Sequence, residues 1–166
     1  MTPRKIDMQK AKLETLISPG IGLGDLKFGM FRNEVEELLG VPTEIEKISY
    51  IEGDEDSEYV HWHYATDNFF LTFEKEDNWR FGTITIESEA FQLFDMNPIG
   101  THIEVFKDKI MEWEVYDFEL EDMSSIESPK HILVSSDTLG INFWFDDDHL
   151  VEMQISPLFE SEEILI

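Results

Sequence analysis

Two histidines one residue apart, His61 and His63 in Tyr59-Val60-His61-Trp62-His63-Tyr64, are the residues of this chain best spaced for chemistry. On a strand, positions i and i+2 share a face, so both imidazoles project the same way. Such a pair is part of a zinc site, which needs three or four ligands, and carboxylates across a sheet, such as Glu87 or Glu152, would supply the rest. No HExxH and no second close histidine pair accompanies it. The preferred reading is two ordinary histidines on the exposed face of a half-buried strand, with Val60, Trp62 and Tyr64 turned to the core. No metal and no other cofactor is expected.

The other chemical signals are weaker. Asp54-Glu55-Asp56-Ser57-Glu58 and Asp146-Asp147-Asp148 lack the alternating ligands, sixth-position glycine and twelfth-position glutamate of a calcium loop, and read as solvated turns. Ser124-Ser125 and Ser135-Ser136 sit in no G-x-S-x-G elbow. Gly20-Ile21-Gly22-Leu23-Gly24 has neither the lysine of a phosphate loop nor the full dinucleotide spacing. Paired carboxylates are unavoidable among 37 acids and so carry no diagnostic value. No catalytic residue is expected; an enzyme centred on His61 and His63, metal-dependent or acid/base, is the alternative.

The elements that would position these residues recur along the chain. Phe31-Arg32-Asn33-Glu34-Val35-Glu36-Glu37-Leu38-Leu39-Gly40 predicts a short helix with Val35, Leu38 and Leu39 on one face, acids near its start, and a stop at Gly40 and Pro42. At an offset of 71, Phe28, Gly29, Val35 and Leu39 match Ile99, Gly100, Phe106 and Ile110. Phe69–Glu74 matches Ile141–Asp146 at an offset of 72, and Ile84-Thr85-Ile86 matches Met153-Gln154-Ile155 at 69. Alternation predicts strands over Glu44–Tyr50, Tyr59–Tyr64, Phe69–Glu74 and Arg80–Glu87, then Glu114–Leu120, Ile132–Ser135, Ile141–Asp146 and Leu150–Ser156. The intervening turns are too short for parallel crossovers, so antiparallel meanders follow. A further helix is predicted at the start, from Ile6, Lys10, Leu13 and Ile17.

The expected architecture is a two-layer α+β domain. Tandem helix-plus-four-stranded meander repeats form one curved sheet with the helices on one face. The whole chain is read as a single domain, with repeats over about 1–90 and 91–160 and a tail over 161–166.

Leu26-Lys27-Phe28-Gly29-Met30 and Glu34-Val35-Glu36-Glu37-Leu38-Leu39-Gly40-Val41-Pro42 resemble a segment common among the β-lactamase inhibitor protein and its relatives. The likeness covers about residues 20 to 157. It implies tandem helix–loop–helix plus four-stranded units, the unit found singly in small lipoproteins of the outer-membrane β-barrel assembly machinery, and a tendency toward protein binding. The lipidated cysteine of the lipoprotein members has no counterpart, since the chain contains no cysteine. Small acidic immunity proteins that neutralise bacterial toxins are similar in composition.

If Phe69, Leu71, Phe73, Ile141, Phe143 and Phe145 face the helices, alternation puts Phe70, Thr72, Asn142 and Trp144 on the opposite, open face. Thr83 and Thr85 join His61 and His63 there, with Glu152 and Gln154. Aromatic anchors within a polar rim suit a protein partner. The competing expectation is that Leu158–Ile166, or a second copy in a homodimer, covers Phe70 and Trp144.

Charge narrows the partner. Of 166 residues, 12 are Lys or Arg and 37 Asp or Glu, for a formal charge of −25. Residues 1–12 hold four bases against one acid, or +3, which leaves −28 on the remainder. Phosphate backbones and anionic headgroups repel such a body, so neither nucleic acid nor membrane is an expected partner. The chain is 42% hydrophobic, enough to fold. No apolar run of about 7–15 residues follows the basic start and none approaches about 18, so neither a secretory signal nor a membrane span is expected, and the compartment expected is the cytoplasm. The function expected is a non-enzymatic binding protein, of inhibitor or immunity type, that engages a basic protein. A self-associating structural subunit is a third reading.

Overall fold

The computed structural model describes residues 15–158. Among the described residues, two sheets and two helices make an α+β fold. Helix α1 (Arg32–Leu39) begins where the Glu34 carboxylate accepts the Phe31 N–H at 2.9 Å, and ends at Gly40, whose φ of +88° suits glycine. Helix α2 (Ile103–Glu112) starts with the His102 ring nitrogen accepting the Glu104 N–H at 3.1 Å.

The larger sheet has eight strands: β4 (Glu44–Ser49), β5 (Glu58–Tyr64), β6 (Phe69–Glu74), β7 (Arg80–Ile86), β9 (Glu119–Asp122), β10 (His131–Ser136), β11 (Ile141–Asp146) and β12 (His149–Ile155). Their order is β4-β5-β6-β7-β12-β11-β10-β9, antiparallel throughout. Helix α1 precedes β4–β7 along the chain, and α2 precedes β9–β12. The two stretches meet at β7 and β12, where Ile84, Thr85 and Ile86 pair with Ile155, Gln154 and Met153. The outer strands β4 and β9 are exposed along almost their whole length and carry Glu44, Glu46, Lys47, Glu119, Glu121 and Asp122.

Alternation decides what is buried. Val60, Trp62, Phe69, Leu71, Phe73, Phe143 and Phe145 point into one core, which also holds Val35 of α1 and Phe106 of α2. Phe106 is fully buried, with its ring 4.9 Å from Phe143 and 5.2 Å from Phe145. Two β-bulges break the alternation. Thr72 pairs with Thr83 but Phe73 with Phe81, which leaves Gly82 as an extra residue; Trp144 pairs with Glu152 but Phe145 with Leu150, which leaves Val151 extra. The bulges let Phe81 and Ile84, and likewise Leu150 and Met153, share the core side although each pair is three positions apart.

A second sheet, in the order β3-β2-β1-β8, joins β1 (Leu16–Ser18), β2 (Gly22–Leu23), β3 (Leu26–Lys27) and β8 (Gln92–Leu93). Gly22 turns so tightly here that a side chain would strike the Leu26 carbonyl, which accounts for the glycine without any phosphate.

The structure departs from the sequence expectation at three points. The strands expected in one curved sheet are joined by a second, four-stranded sheet, built from segments too short to show alternation. Ile17 lies in strand β1 rather than on a leading helix, and the rest of that segment falls outside the described residues, as does the tail over 161–166. The strand expected over Glu114–Leu120 forms instead at Glu119–Asp122. Glu114 takes a φ of +57°, which breaks any extended run. Asp117 is bound to the β10–β11 turn, accepting the Ser136 hydroxyl at 2.8 Å and the Thr138 N–H at 2.8 Å. Among the described residues no helix is long and apolar enough to cross a membrane.

Because Phe106 joins α2 to two sheet phenylalanines, Phe106→Ala is expected to destabilise the fold by about 3–5 kcal/mol. Urea denaturation measures this, and a loss below about 1 kcal/mol would show that α2 contributes little to the core.

Candidate functional site

Strand register places the side chains of the open face in rows across the sheet. One row runs Glu44, His63, Phe70, Thr85, Gln154, Asn142 and Ser135; the next runs Glu46, His61, Thr72 and Thr83. Trp144 stands in a third row, with Glu152 on one side and Leu133 on the other.

Each half of this face has an aromatic cluster. On β5 and β6 the Phe70 ring lies 4.5 Å from His61 and 4.9 Å from His63, and Tyr59 extends the group at 5.2 Å from His61 and 4.4 Å from Tyr50. On β10 and β11 the His131 ring stacks on Trp144 at 5.0 Å and 18°, while the indole N–H donates to the Gln154 side-chain oxygen at 3.0 Å. These contacts fix the orientation of Phe70 and Trp144, which are both partly buried.

All eight residues expected on this face lie on it, but two are not contact residues. Thr85 is 2% exposed and Thr72 7%, so they form its floor between bulkier neighbours rather than a polar rim. Asn142 and Thr83 are partly exposed. Sequence reasoning missed Tyr50, Tyr59 and His131; Tyr59 was accessible from its i−2 spacing to His61, whereas His131 depends on a strand pairing that no local pattern announces.

The histidine pair is bound within the sheet. His61 Nδ1 lies 3.0 Å from the Thr72 hydroxyl, and His63 Nε2 lies 3.1 Å from a Glu46 carboxylate oxygen. Burial, helped by neighbouring His63 and opposed by Glu46, lowers the His61 pKa, so the ring favours its neutral form. Glu152 stands three strand spacings, about 14 Å, from the β5 histidines, too far to share an ion with them. Among the described residues no group of three or more histidines and carboxylates is placed to hold a metal ion.

Glu152 has another neighbour. It faces Glu87 across β7 and β12, and burial, followed by the hydrogen bond and charge of Glu87, pushes its carboxyl up to about 7.

The remaining sequence signals are structural. The Ser124 hydroxyl accepts the His131 N–H at 3.1 Å, Ser125 accepts the Ser128 N–H at 3.1 Å, and Ser136 donates to Asp117. Asp147 and Asp148 take φ values of +52° and +71° in the two-residue turn between paired Asp146 and His149, the geometry of a type I′ hairpin. Glu55–Ser57 forms a 3₁₀ turn. A cleft of about 650 Å³ opens beside the Gly82 bulge, lined by Phe28, Glu74, Arg80, Thr83 and Pro157. Its Arg80 lies over the Phe31 ring at 5.0 Å.

No protein-family model, curated protein or solved structure matches the chain.

The folded protein keeps on Glu152 a proton that the unfolded chain releases near the ordinary value of 4.5. Stability from this group is therefore present at low pH and is lost as pH rises from about 4.5 to about 7. Glu152→Gln, neutral and of the same size, is expected to raise stability at about pH 8 by about 1–2 kcal/mol, a figure discounted for the half-exposed side chain, and to change it little near pH 5. Urea titrations across that range give the answer; parallel profiles for parent and variant would refute it.

Proposed function

We propose that this chain is a non-enzymatic protein-binding module, of inhibitor or immunity type, that engages a basic protein through the open face of its eight-stranded sheet. The observation that carries the reading is the pair of braced aromatic clusters around Phe70 and Trp144, on the face opposite the phenylalanine core. Preorganised aromatic rings with polar neighbours are the usual anchors of an interface, because little side-chain entropy is lost when they are covered. His61, His63, Asn142 and Thr83 supply hydrogen-bonding groups beside the anchors.

Charge complementarity indicates the partner. Glu44, Glu46, Glu87, Glu119, Glu121 and Glu152 share the open side, and Arg80 is confined to one end of it. A net charge of −25 adds a long-range field that speeds association with a positive surface. We infer a cytoplasmic setting from the same composition, with nucleic acid and membranes excluded as partners by repulsion.

We also infer that the sheet arose by duplication of a helix-plus-meander unit, with both helices on one face, in the manner of the β-lactamase inhibitor protein superfamily. A detail of the small sheet supports this. Leu93-Phe94-Asp95-Met96 repeats Leu23-Gly24-Asp25-Leu26 at an offset of 70, and Phe94 takes a φ of +55° where Gly24 takes +58°. A phenylalanine in a conformation that suits glycine is what descent from a common turn leaves behind.

Immobilised protein should retain, at low ionic strength, a protein of high isoelectric point that elutes as salt is raised. Phe70→Ala and Trp144→Ala, each at an unchanged unfolding midpoint, should weaken that complex by about tenfold or more in calorimetry. Salt-indifferent binding would refute the electrostatic part, and unaltered affinity in both variants would refute the face. A doubled solution mass abolished by the same substitutions would instead identify a second copy as the occupant.

A further inference from the structure

Glu87 and Glu152 stand at the centre of the open face. The ladder that pairs Gln154 with Thr85 and Met153 with Ile86 ends there, and one residue on, just past β7, Glu87 comes within hydrogen-bond reach of Glu152, on the side of the sheet that Thr85 and Gln154 share. Like charges directly opposed across an antiparallel pair repel. Among the described residues the neighbouring elements bring no Lys or Arg beside them. Asn68, in the turn before β6, donates to the Glu87 carbonyl at 3.4 Å, β6 presents Phe70, β12 adds Gln154, and β11 contributes Trp144 and Asn142, with Asp146 beyond. The titratable groups further out on this side are His131 on β10, His149 at the start of β12, His61 and His63 on β5, Glu74 on β6, Glu44 and Glu46 on β4, and Glu119 and Glu121 on β9. Arg80 is seven residues along β7 from Glu87, about 23 Å at the rise of a strand. The arrangement favours one proton held between the two carboxyls, and burial together with Glu87 is what lifts the Glu152 carboxyl to about 7.

We propose that the Glu87–Glu152 pair gates docking on the open face. With a shared proton the centre between Phe70 and Trp144 bears one negative charge, and without it two, so a partner presenting lysine or arginine there is held more tightly as pH rises through neutrality. The gate rests on the protein-binding reading of this face. By linkage, a cationic side chain seated against the pair expels the proton, so docking near neutral pH releases protons to the buffer.

A rhodamine-labelled nona-arginine peptide serves as the probe, titrated by anisotropy into the full chain at constant ionic strength from about pH 5.5 to about pH 8.5. Parent protein should bind it about fivefold more tightly at the upper end, the effect of one added charge contact. Glu152→Gln keeps every histidine, so the difference between its slope and the parent's belongs to the carboxyl pair; that difference should be the larger part of the fivefold. In parallel, carbon-13 detection of the glutamate side-chain carboxyls should show Glu152 titrating near neutrality. Identical slopes in parent and Glu152→Gln, or a Glu152 carboxyl titrating below about pH 5, would overturn the gate. Phe70→Ala and Trp144→Ala separate the two readings. If they weaken binding while Glu152→Gln keeps the parent's slope, the face stands and the gate falls. If they leave affinity unchanged while Glu152→Gln removes the slope, the gate stands and aromatic anchoring falls.

Discussion

Three residue pairs hold the large sheet together as one body. Ile84, Thr85 and Ile86 of β7 meet Ile155, Gln154 and Met153 of β12, and the four isoleucine and methionine side chains among them are fully buried. Through this seam alone the ladder continues from one four-strand stretch into the other. Its register also sets the open face, because a slip of one residue would exchange the buried side chains for Thr85, Gln154 and their neighbours. The gathering of Glu152 with Glu87, and the placing of Phe70 and Trp144 on one surface, both follow from it.

The face assignments were legible in the sequence because alternation is local. His61 and His63 against Val60, Trp62 and Tyr64 announce their sides, as do Phe70 against Phe69 and Leu71, and Trp144 against Phe143 and Phe145. The exact strand bounds over Phe69–Glu74 and Ile141–Asp146 came from the same signal. Gly82 and Val151, the two bulge residues, interrupt the alternation without a distinctive pattern of their own. The small sheet was hidden because strands of two or three residues show no periodicity. β9 was misplaced because Glu114–Leu120 alternates acceptably, while a positive φ at Glu114 and the bonds made by Asp117 come from tertiary context.

The candidate site divides along the same line. Individual residues could be placed on a face, but not which of them touch. Glu87 and Glu152 are two acids among 37 until a pairing between distant parts of the chain sets them opposite each other. The burial of Thr72 and Thr85 was equally out of reach, since it depends on bulky side chains contributed by the strands on either side. A histidine pair that resembles half a metal site proves to be part of an aromatic surface, with its ring nitrogens directed to Thr72 and Glu46.

The outer strands β4 and β9 bring acids to both rims of the sheet. Two copies meeting rim to rim would have to bring Glu44 and Glu46, or Glu119 and Glu121, against their own kind, and like charge opposes lengthening the ladder by another chain. Among the described residues nothing pairs with the outer edges of β4 and β9, and an uncharged border of that kind is a natural seed for fibres. The acidic rims work against backbone pairing between chains and favour contact through the faces, where shape rather than backbone hydrogen bonding selects what attaches.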